Sequence, residues 1–331
     1  MYNTLKQLIN APSVSGREDK VRSIISEIIG NYVDEQRVDN LGNLIAIKRG
    51  QGAAPKKIML CAHMDEIGFL VTFIEESGYL RVSNVGGINF VASAYSEVVF
   101  ENGTRGVIVP EAKVKAEEFK ADKFYIDIGA KDRKDAEKKV KIGDFAVVAP
   151  SVSRLMGRRI CGRPFDDRIG CAILIEIAKT IEACENDLYF VFSVQEEVGC
   201  RGAKPAAFGI APDYAIVFDV TGTGDSVGSA PMAVKIGGGA AIKVKDSSVI
   251  CHSEVVDRLT ELAKANKIKH QHEILTYGGT DTSSIQVSGS GAKVGALSIP
   301  SRNIHSGMEI IDVADAEACQ RLAIAFINSL C

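Results

Sequence analysis

The residues best suited to chemistry stand where apolar runs end. His63 and Asp65 follow the run 58–62, Glu196 and Glu197 follow 188–194, Asp219 follows 216–218, and His305 comes shortly after 296–300. The pair Asp166 and Asp167 stands just past Pro164, at the start of a helical pattern. A single imidazole or carboxylate past a strand is an ordinary loop cap or a satisfied polar residue. Its recurrence at equivalent positions is a different signal, because open α/β sheets bind ligands outside the carboxyl ends of their strands. Imidazole nitrogen and carboxylate oxygen without thiolate suit Zn²⁺, Co²⁺ or Mn²⁺. A carboxylate bridging two ions, with terminal ligands on each, would make a two-metal site able to activate water.

Spacing divides the work among these residues. On extended backbone, positions i and i+2 share a side, so Asp65 can accept the ring N–H of His63 and aim the other nitrogen at a metal. Glu196 and Glu197 need different roles, since a base beside bound water must not itself be tied up as a ligand. The residues alone leave open whether Asp166 or Asp167 bridges. A serine triad fits poorly: Ser288-Gly-Ser-Gly291 approximates the Gly-x-Ser-x-Gly elbow only with relaxed spacing and has no strand–turn–helix context. Gly237-Gly-Gly239 is followed by neither a Walker lysine nor Rossmann spacing, and reads as a flexible loop beside the site. His252, His270 and His272 lack a strand-end carboxylate partner and read as surface or core histidines.

The elements that must position these groups alternate in character. Val21, Ile24, Ile25, Ile28 and Ile29 recur at helical spacing over 17–30, with Ser15 and Glu18 placed as a capping box. Residues 58–61 are apolar at successive positions, as a strand buried on both faces requires. From 68 to 148 the pattern changes to short β runs at 69–74, 79–82, 97–100, 106–109, 125–128 and 145–148, punctuated by Gly78, Gly86-Gly87, Asn102-Gly103 and Gly143-Asp144. The mixed charges of 131–141 inside this stretch read as a solvated helix or loop. After Gly162 come helices at 166–183, 202–208, 254–266 and 312–328, and strands at 188–194, 214–220, 240–245, 270–275 and 293–299. The expected fold is α/β: a catalytic domain of 1–65 and 161–331 with helices on both faces of a mostly parallel sheet, interrupted by a β-rich insertion at 66–160.

Composition bounds the rest. The 331 residues, 46% hydrophobic and 24% charged, suit a globular chain of about two domains and exclude a disordered or fibrous one. Against 42 acidic side chains stand 39 basic ones, for a formal charge of -3, and no basic stripe marks a nucleic-acid surface. No apolar run approaches the ~18 residues of a membrane span, and the N-terminus lacks a signal-peptide layout, so a cytoplasmic protein with no membrane partner is expected. Eight cysteines without a C-x-x-C pair, most inside apolar runs, read as reduced core residues.

Taken together, Asn40-Leu-Gly-Asn43, Ala62-His-Met-Asp-Glu-Ile-Gly68, Phe165-Asp-Asp-Arg-Ile-Gly170, Gln195-Glu-Glu-Val-Gly199, Gly278-Gly-Thr-Asp281 and Ile304-His-Ser306 closely resemble the M42 family of dinuclear metallo-aminopeptidases, the tetrahedral or glutamyl aminopeptidases. The resemblance spans essentially the whole chain. It implies that His63, Asp166 and Asp219 hold one divalent ion and Asp166, Glu197 and His305 the other, with Asp166 bridging, Glu196 as general base and Asp65 orienting the histidine. Zn or Co would be the metal, and short peptides the substrates. The implied fold is a three-layer zinc-exopeptidase-like domain with a PDZ-like dimerisation insertion, dimers building a tetrahedral dodecamer. Where many relatives carry Tyr before the Ile-His pair, this chain has Asn303. A related N-acyl amino-acid deacylase could use the same ligands. An endoglucanase would want a carboxylic-acid pair with aromatic platforms, which a chain without tryptophan supports poorly. A metal-storing assembly would need no second glutamate beside its ligand.

Overall fold

The computed structural model describes residues 1–330; Cys331, one of the cysteines counted above, lies outside the described residues. Helices α1 (Tyr2–Ile9) and α2 (Asp19–Ile29) lead into strands β1 (Glu35–Val38), β2 (Leu44–Lys48) and β3 (Lys57–His63). The next stretch holds β4 (Gly68–Ile74), β5 (Leu80–Val85), short helix α3 (Phe90–Ser93), β6 (Glu97–Phe100), β7 (Arg105–Pro110), β8 (Phe124–Asp127), short helix α4 (Arg133–Ala136) and β9 (Phe145–Val148). After it come β10 (Ser151–Arg154), β11 (Arg159–Arg163), α5 (Arg168–Thr180), β12 (Asp187–Ser193), α6 (Ala203–Ile210) and β13 (Tyr214–Thr221). The remainder is β14 (Ala240–Lys245), α7 (Ser253–Ala265), β15 (His270–Ile274), α8 (Asp281–Gln286), β16 (Lys293–Arg302), β17 (Glu309–Asp312) and α9 (Val313–Asn328).

Eleven strands form one sheet in the order β1-β2-β12-β3-β13-β16-β17-β11-β10, with β14 pairing β16 and β15. The sheet is mixed rather than mostly parallel. Parallel pairing is confined to β12–β3–β13–β16 and to β14–β15, and the flanking pairs are antiparallel. The physical reason lies in the connections: helical crossovers bring successive strands back parallel, whereas the short links β1–β2, β10–β11 and β16–β17 can only reverse the chain.

The central strands are buried on both faces, and their side chains alternate between two cores. Ile58, Leu60 and Ala62 of β3 join a cluster with α1, α2, α5, α7 and α9, while Met59 and Cys61 join another with Ala206, Ala207 and Ile210 of α6 and Ile285 of α8. Helix α5 has ten buried residues out of thirteen, which is why it reads as apolar nearly all round. Truncating a fully buried strand residue such as Leu60 to Ala costs about 2–5 kcal/mol.

Strands β4-β5-β8-β7-β6-β9 close into a separate barrel. Its interior is filled by the inward face of each alternating strand, with Phe69, Phe100, Phe124, Leu80 and Ile126 fully or almost fully buried. The ring of Phe90 packs tilted against Phe124 at 5.0 Å between centroids. Within 131–141 only Ala136 and Val140 are buried, and the charges face outward. Residues 151–154 run in the large sheet beside β11, not in the barrel.

The Ser15–Glu18 capping box does not form. Glu18 stands at the N-cap of α2 without capping it, because its carboxylate instead accepts the N–H groups of Gly16 and Gln195, and Ser15 Oγ donates to Asp65. Both side chains are drawn toward the strand ends. Cys61, Cys161, Cys171, Cys200, Cys251 and Cys319 are free thiols, with Cys61, Cys171, Cys251 and Cys319 buried.

Candidate active site

Parallel pairing delivers the candidate residues to one rim. Ser193 of β12 lies opposite His63 of β3, and Asp219 of β13 opposite Ser298 of β16, so the ends of four adjacent strands coincide. Just past them, Gln195 and Cys200 adopt left-handed backbone with φ of 57° and 51°, turning Glu196 and Glu197 back over the sheet. Asn303 (φ 60°) and His305 (φ 61°) make a second such turn after β16. Asn tolerates that conformation better than most residues, which gives Asn303 a local reason, and its side chain also donates to the Met308 carbonyl.

Asp166 occupies the centre. His63 Nε2 lies 3.1 Å from its Oδ1, while His305 Nε2 lies 3.3 Å from its Oδ2 and 3.1 Å from Glu197 Oε2. Asp219 Oδ1 is 3.9 Å from His63 Nε2. Potential ligand atoms of His63, Asp166 and Glu197, and of His63, Asp167 and Asp219, fall within 4.8 Å of one another in two overlapping groups. Asp167 is otherwise engaged: its Oδ1 accepts the N–H of Gly170 as the cap of α5, and its Oδ2 the N–H of His63.

Asp65 differs from the expectation built on extended backbone. Strand β3 ends at His63, so the acceptor nearest the ring is the Asp65 carbonyl oxygen, 3.0 Å from Nδ1, with the carboxylate at 3.5 Å. The Asp65 carboxylate instead accepts the N–H groups of Glu196 and Glu197 and the Ser15 hydroxyl.

The flanking motif residues are scaffold. Asn43 accepts from Val194 N–H and donates to the Gly202 carbonyl, pinning both ends of the loop that carries Glu196 and Glu197. Buried Glu66 pairs with Arg163 and Arg168, and Arg168 also donates to the carbonyls of Met64, Leu8 and Ala11. Gly87 reaches in from the barrel, where a Cβ would lie 3.1 Å from His305 Nδ1.

Charge in this site is one-sided. Burial alone would lower the proton affinity of His63, but hydrogen bonds to Asp166 and Asp65 outweigh it and raise its pKa well above the ordinary range. Burial likewise opposes the protonation of His305, whose pKa Asp166 and Glu197 nonetheless push up to about 11. Burial would raise Asp166, yet the two imidazoles hold it well below the usual carboxylate range. For Glu196, Glu197, Asp167 and Asp219, burial dominates and raises the pKa, with neighbouring carboxylates adding to it. Glu197 Oε1 is buried without a hydrogen-bond partner. Carboxylates outnumbering cations in a largely buried site, with an orphaned oxygen among them, fit divalent ions bound through nitrogen and oxygen.

The site opens into a cavity of about 740 Å³ lined by His63, Asp166, Glu196, Glu197, Asp219 and His305 on its floor and by Leu275, Tyr277 and Arg302 farther out. His252, His270 and His272 fall in no group of potential ligands among the described residues. Gly237-Gly-Gly239 is tethered, its Gly237 and Gly239 N–H groups donating to the buried Asp315 carboxylate. Sequence reasoning gave no role to Glu309, which accepts the N–H groups of Phe165 and Asp166, nor to Cys200 and Asp281, which face Glu196. None of the three follows an apolar run in the way that singled out the others.

A family model described as M42 glutamyl aminopeptidase matches residues 42–322. A protein of Acetivibrio thermocellus provisionally named an aminopeptidase is 47% identical over 328 residues, covering 99% of this chain and 98% of its own. Among solved structures, the aminopeptidase APDkam598 from the archaeon Desulfurococcus kamchatkensis superposes with a TM-score of 0.95 at 35% identity, over 99% of this chain and 94% of that one. The Pyrococcus horikoshii TET1 peptidase, described as assembling into a tetrahedron or a large octahedral shell, does so with a TM-score of 0.88 at 35% identity, over 98% of both chains.

Proposed function

The chain belongs to the M42 family of metal-dependent aminopeptidases, and from that premise we propose that it removes N-terminal residues from short peptides at a two-ion centre bridged by Asp166. The observation that carries this reading is the placement of Asp166 between two imidazoles, one facing each carboxylate oxygen. In it, His63, Asp166 and Asp219 hold one ion, and Asp166, Glu197 and His305 the other. The engagement of both Asp167 oxygens with backbone amides supports Asp166 as the bridge.

Two divalent cations, Zn²⁺ or Co²⁺ by the donor set, would supply Lewis acidity and water acidified toward neutrality. The chain does the rest. Glu196, tied to neither imidazole, accepts the proton of the attacking water and delivers it to the departing amine nitrogen as the C–N bond breaks. Asp65 fixes the backbone of Glu196 and Glu197, and the Asp65 carbonyl sets the His63 ring so that Nε2 faces Asp166.

The barrel strands from Gly68 to Val148 form, in this reading, the core of a PDZ-like dimerisation domain within 66–160, inserted into a three-layer, zinc-exopeptidase-like catalytic domain of 1–65 and 161–331. Exposed apolar residues on that stretch, among them Phe73, Val91, Tyr95 and Ile142, support a surface that meets another copy. A dodecamer built of such dimers is part of the proposal, supported by the solved structure described as a PhTET1 dodecamer and by the tetrahedron described for the Pyrococcus horikoshii protein. No described helix is long and apolar enough to cross a membrane. A cytoplasmic setting is supported by the free thiols.

Protein stripped by chelator and reloaded with Zn²⁺ or Co²⁺ tests the activity on a panel of unblocked and N-acetylated short peptides. Release of the first residue from the unblocked members alone is expected. Cleavage confined to acylated members would replace this reading with a deacylase, and cleavage of none would leave a metal-holding assembly.

A further inference from the structure

The carboxylate of Glu196 faces two groups that the proposed reaction does not use. Cys200 Sγ lies 3.1 Å from Glu196 Oε1, and ligand atoms of Glu196, Cys200 and Asp281 all fall within 4.8 Å of one another. The loop is folded back to make this contact: Cys200 has a φ of 51°, and its N–H donates to the Glu196 carbonyl at 2.8 Å. Asp281 comes from a distant part of the chain, as the first residue of α8, and is only 1% exposed. Its Oδ2 accepts from Ser193 Oγ at 2.6 Å, but its Oδ1 is buried with no partner at all.

A buried carboxylate oxygen left without a donor is costly, about 1–3 kcal/mol or more when charged. Here that oxygen belongs to a group lying beside a thiol and a second carboxylate. The chemistry of this set differs from that of the neighbouring centre, because it includes sulfur and lacks imidazole. Typical Zn–S and Zn–O lengths of about 2.3 and 2.0 Å place sulfur and oxygen roughly 3.5 Å apart on a tetrahedral ion, so the 3.1 Å hydrogen bond from the Cys200 thiol to Glu196 Oε1 has to open only slightly to admit one.

We propose that Glu196, Cys200 and Asp281 form a third cation site, separate from the two-ion centre, which takes a thiophilic divalent cation such as Zn²⁺ in excess or Cd²⁺. Binding forms one metal–sulfur and two metal–oxygen bonds, and the Cys200 thiol proton passes to solvent; nothing is oxidised or reduced. Filling the site occupies the Glu196 carboxylate, so it switches off the base while both ions of the main centre stay in place. A hard cation such as Mg²⁺ does not substitute, since it prefers oxygen-only coordination. The inhibitory consequence rests on the role proposed for Glu196, whereas the site itself does not.

The test titrates Cd²⁺ into protein loaded with two equivalents of Zn²⁺, reading zinc and cadmium per chain, ultraviolet thiolate-to-cadmium absorption and cleavage of an unblocked peptide. One cadmium bound above two retained zincs, a thiolate band of matching amplitude and at least a tenfold fall in turnover are expected. Cys200→Ser should lose the band and the extra equivalent, and its own two-zinc turnover should no longer respond to Cd²⁺. Asp281→Asn should weaken the extra cadmium at least tenfold. A binding limit of two metals, an extra cadmium without the band, or a band unchanged in Cys200→Ser would overturn the site. If the zinc-loaded protein cleaves no peptide, the aminopeptidase reading fails, and stoichiometry and absorption still decide this one.

Discussion

Asp65 accepts the backbone N–H of Glu196 on its Oδ1 at 3.0 Å, so the residue two positions past one metal-facing histidine sets the carboxylate proposed as the base. Its Oδ2 takes the N–H of Glu197 at 3.1 Å and the Ser15 hydroxyl at 2.6 Å. Asp65→Asn keeps the volume but can accept on only one of the two atoms, which leaves a buried donor unpaired at about 1–3 kcal/mol. Turnover should fall roughly 10- to 100-fold through misplacement of Glu196. Steady-state kinetics beside urea denaturation checks this, and an unchanged kcat would remove the positioning role.

The neighbouring aspartates should separate cleanly. Asp166→Asn weakens the bridge and is expected to drop bound metal from two ions to one or none per chain. Asp167→Asn keeps one acceptor oxygen, so either the α5 cap or the His63 amide loses its partner, at about 1–3 kcal/mol of stability, while both ions are retained. Elemental analysis of the dialysed variants decides, and equal metal loss in both would reassign the bridge.

Much of this arrangement was legible in the chain, and what was not has identifiable causes. Short β-type runs between glycine-bearing turns marked each barrel strand to within a few residues, as at 69–74 against the observed Gly68–Ile74. Helix α1 was missed because its eight residues, though Leu5, Leu8 and Ile9 fall at helical spacing, are shorter than the stretch over which that period is read, and β11 because Arg159–Arg163 has no apolar run of its own and is held as a strand by Ser151–Arg154 on one side and Glu309–Asp312 on the other. The mixed character of the sheet escaped for the same reason, since strand order is a non-local property. At the rim, apolar-run ends located His63, Glu196, Glu197 and Asp219. Glu309 and Asp281 gave no such signal, one lying within β17 and the other opening a short helix. The contact between Asp65 and the Glu196–Glu197 amides joins loops far apart in sequence, and spacing between neighbours cannot report it.

Asp315 supplies a pH dependence away from the ligands. Burial raises its pKa to about 6, only partly offset by the donated amides of Gly237 and Gly239. The folded state therefore binds this proton more tightly than the unfolded one, and stability falls as pH rises from about 4 to 6. Asp315→Asn should remove that slope. Its stability relative to the unmodified protein should improve by about 1–3 kcal/mol between pH 4 and pH 7, as measured by urea unfolding at each pH. A constant difference would show that Asp315 does not titrate there.

Lys243 is fully buried, 2.7 Å from Glu273 and 3.3 Å from Asp246. The same Glu273 oxygen accepts from Thr221 Oγ1 at 2.9 Å, tying the cluster to the end of the strand that carries Asp219. Lys243→Met strands a buried carboxylate and should cost about 3–5 kcal/mol, and adding Glu273→Gln should recover part of the loss. Thermal or urea denaturation of the single and double variants checks the pair, and additive losses would show no coupling.

The most direct test of the two-ion centre is a stepwise return of Zn²⁺ or Co²⁺ to chelator-stripped protein, following bound metal and release of the first residue from an unblocked peptide in the same samples. Two tightly bound equivalents per chain are expected, with cleavage that reaches its full rate only as the second is filled. Full cleavage by the stripped protein, or at a single equivalent, would contradict the two-ion centre.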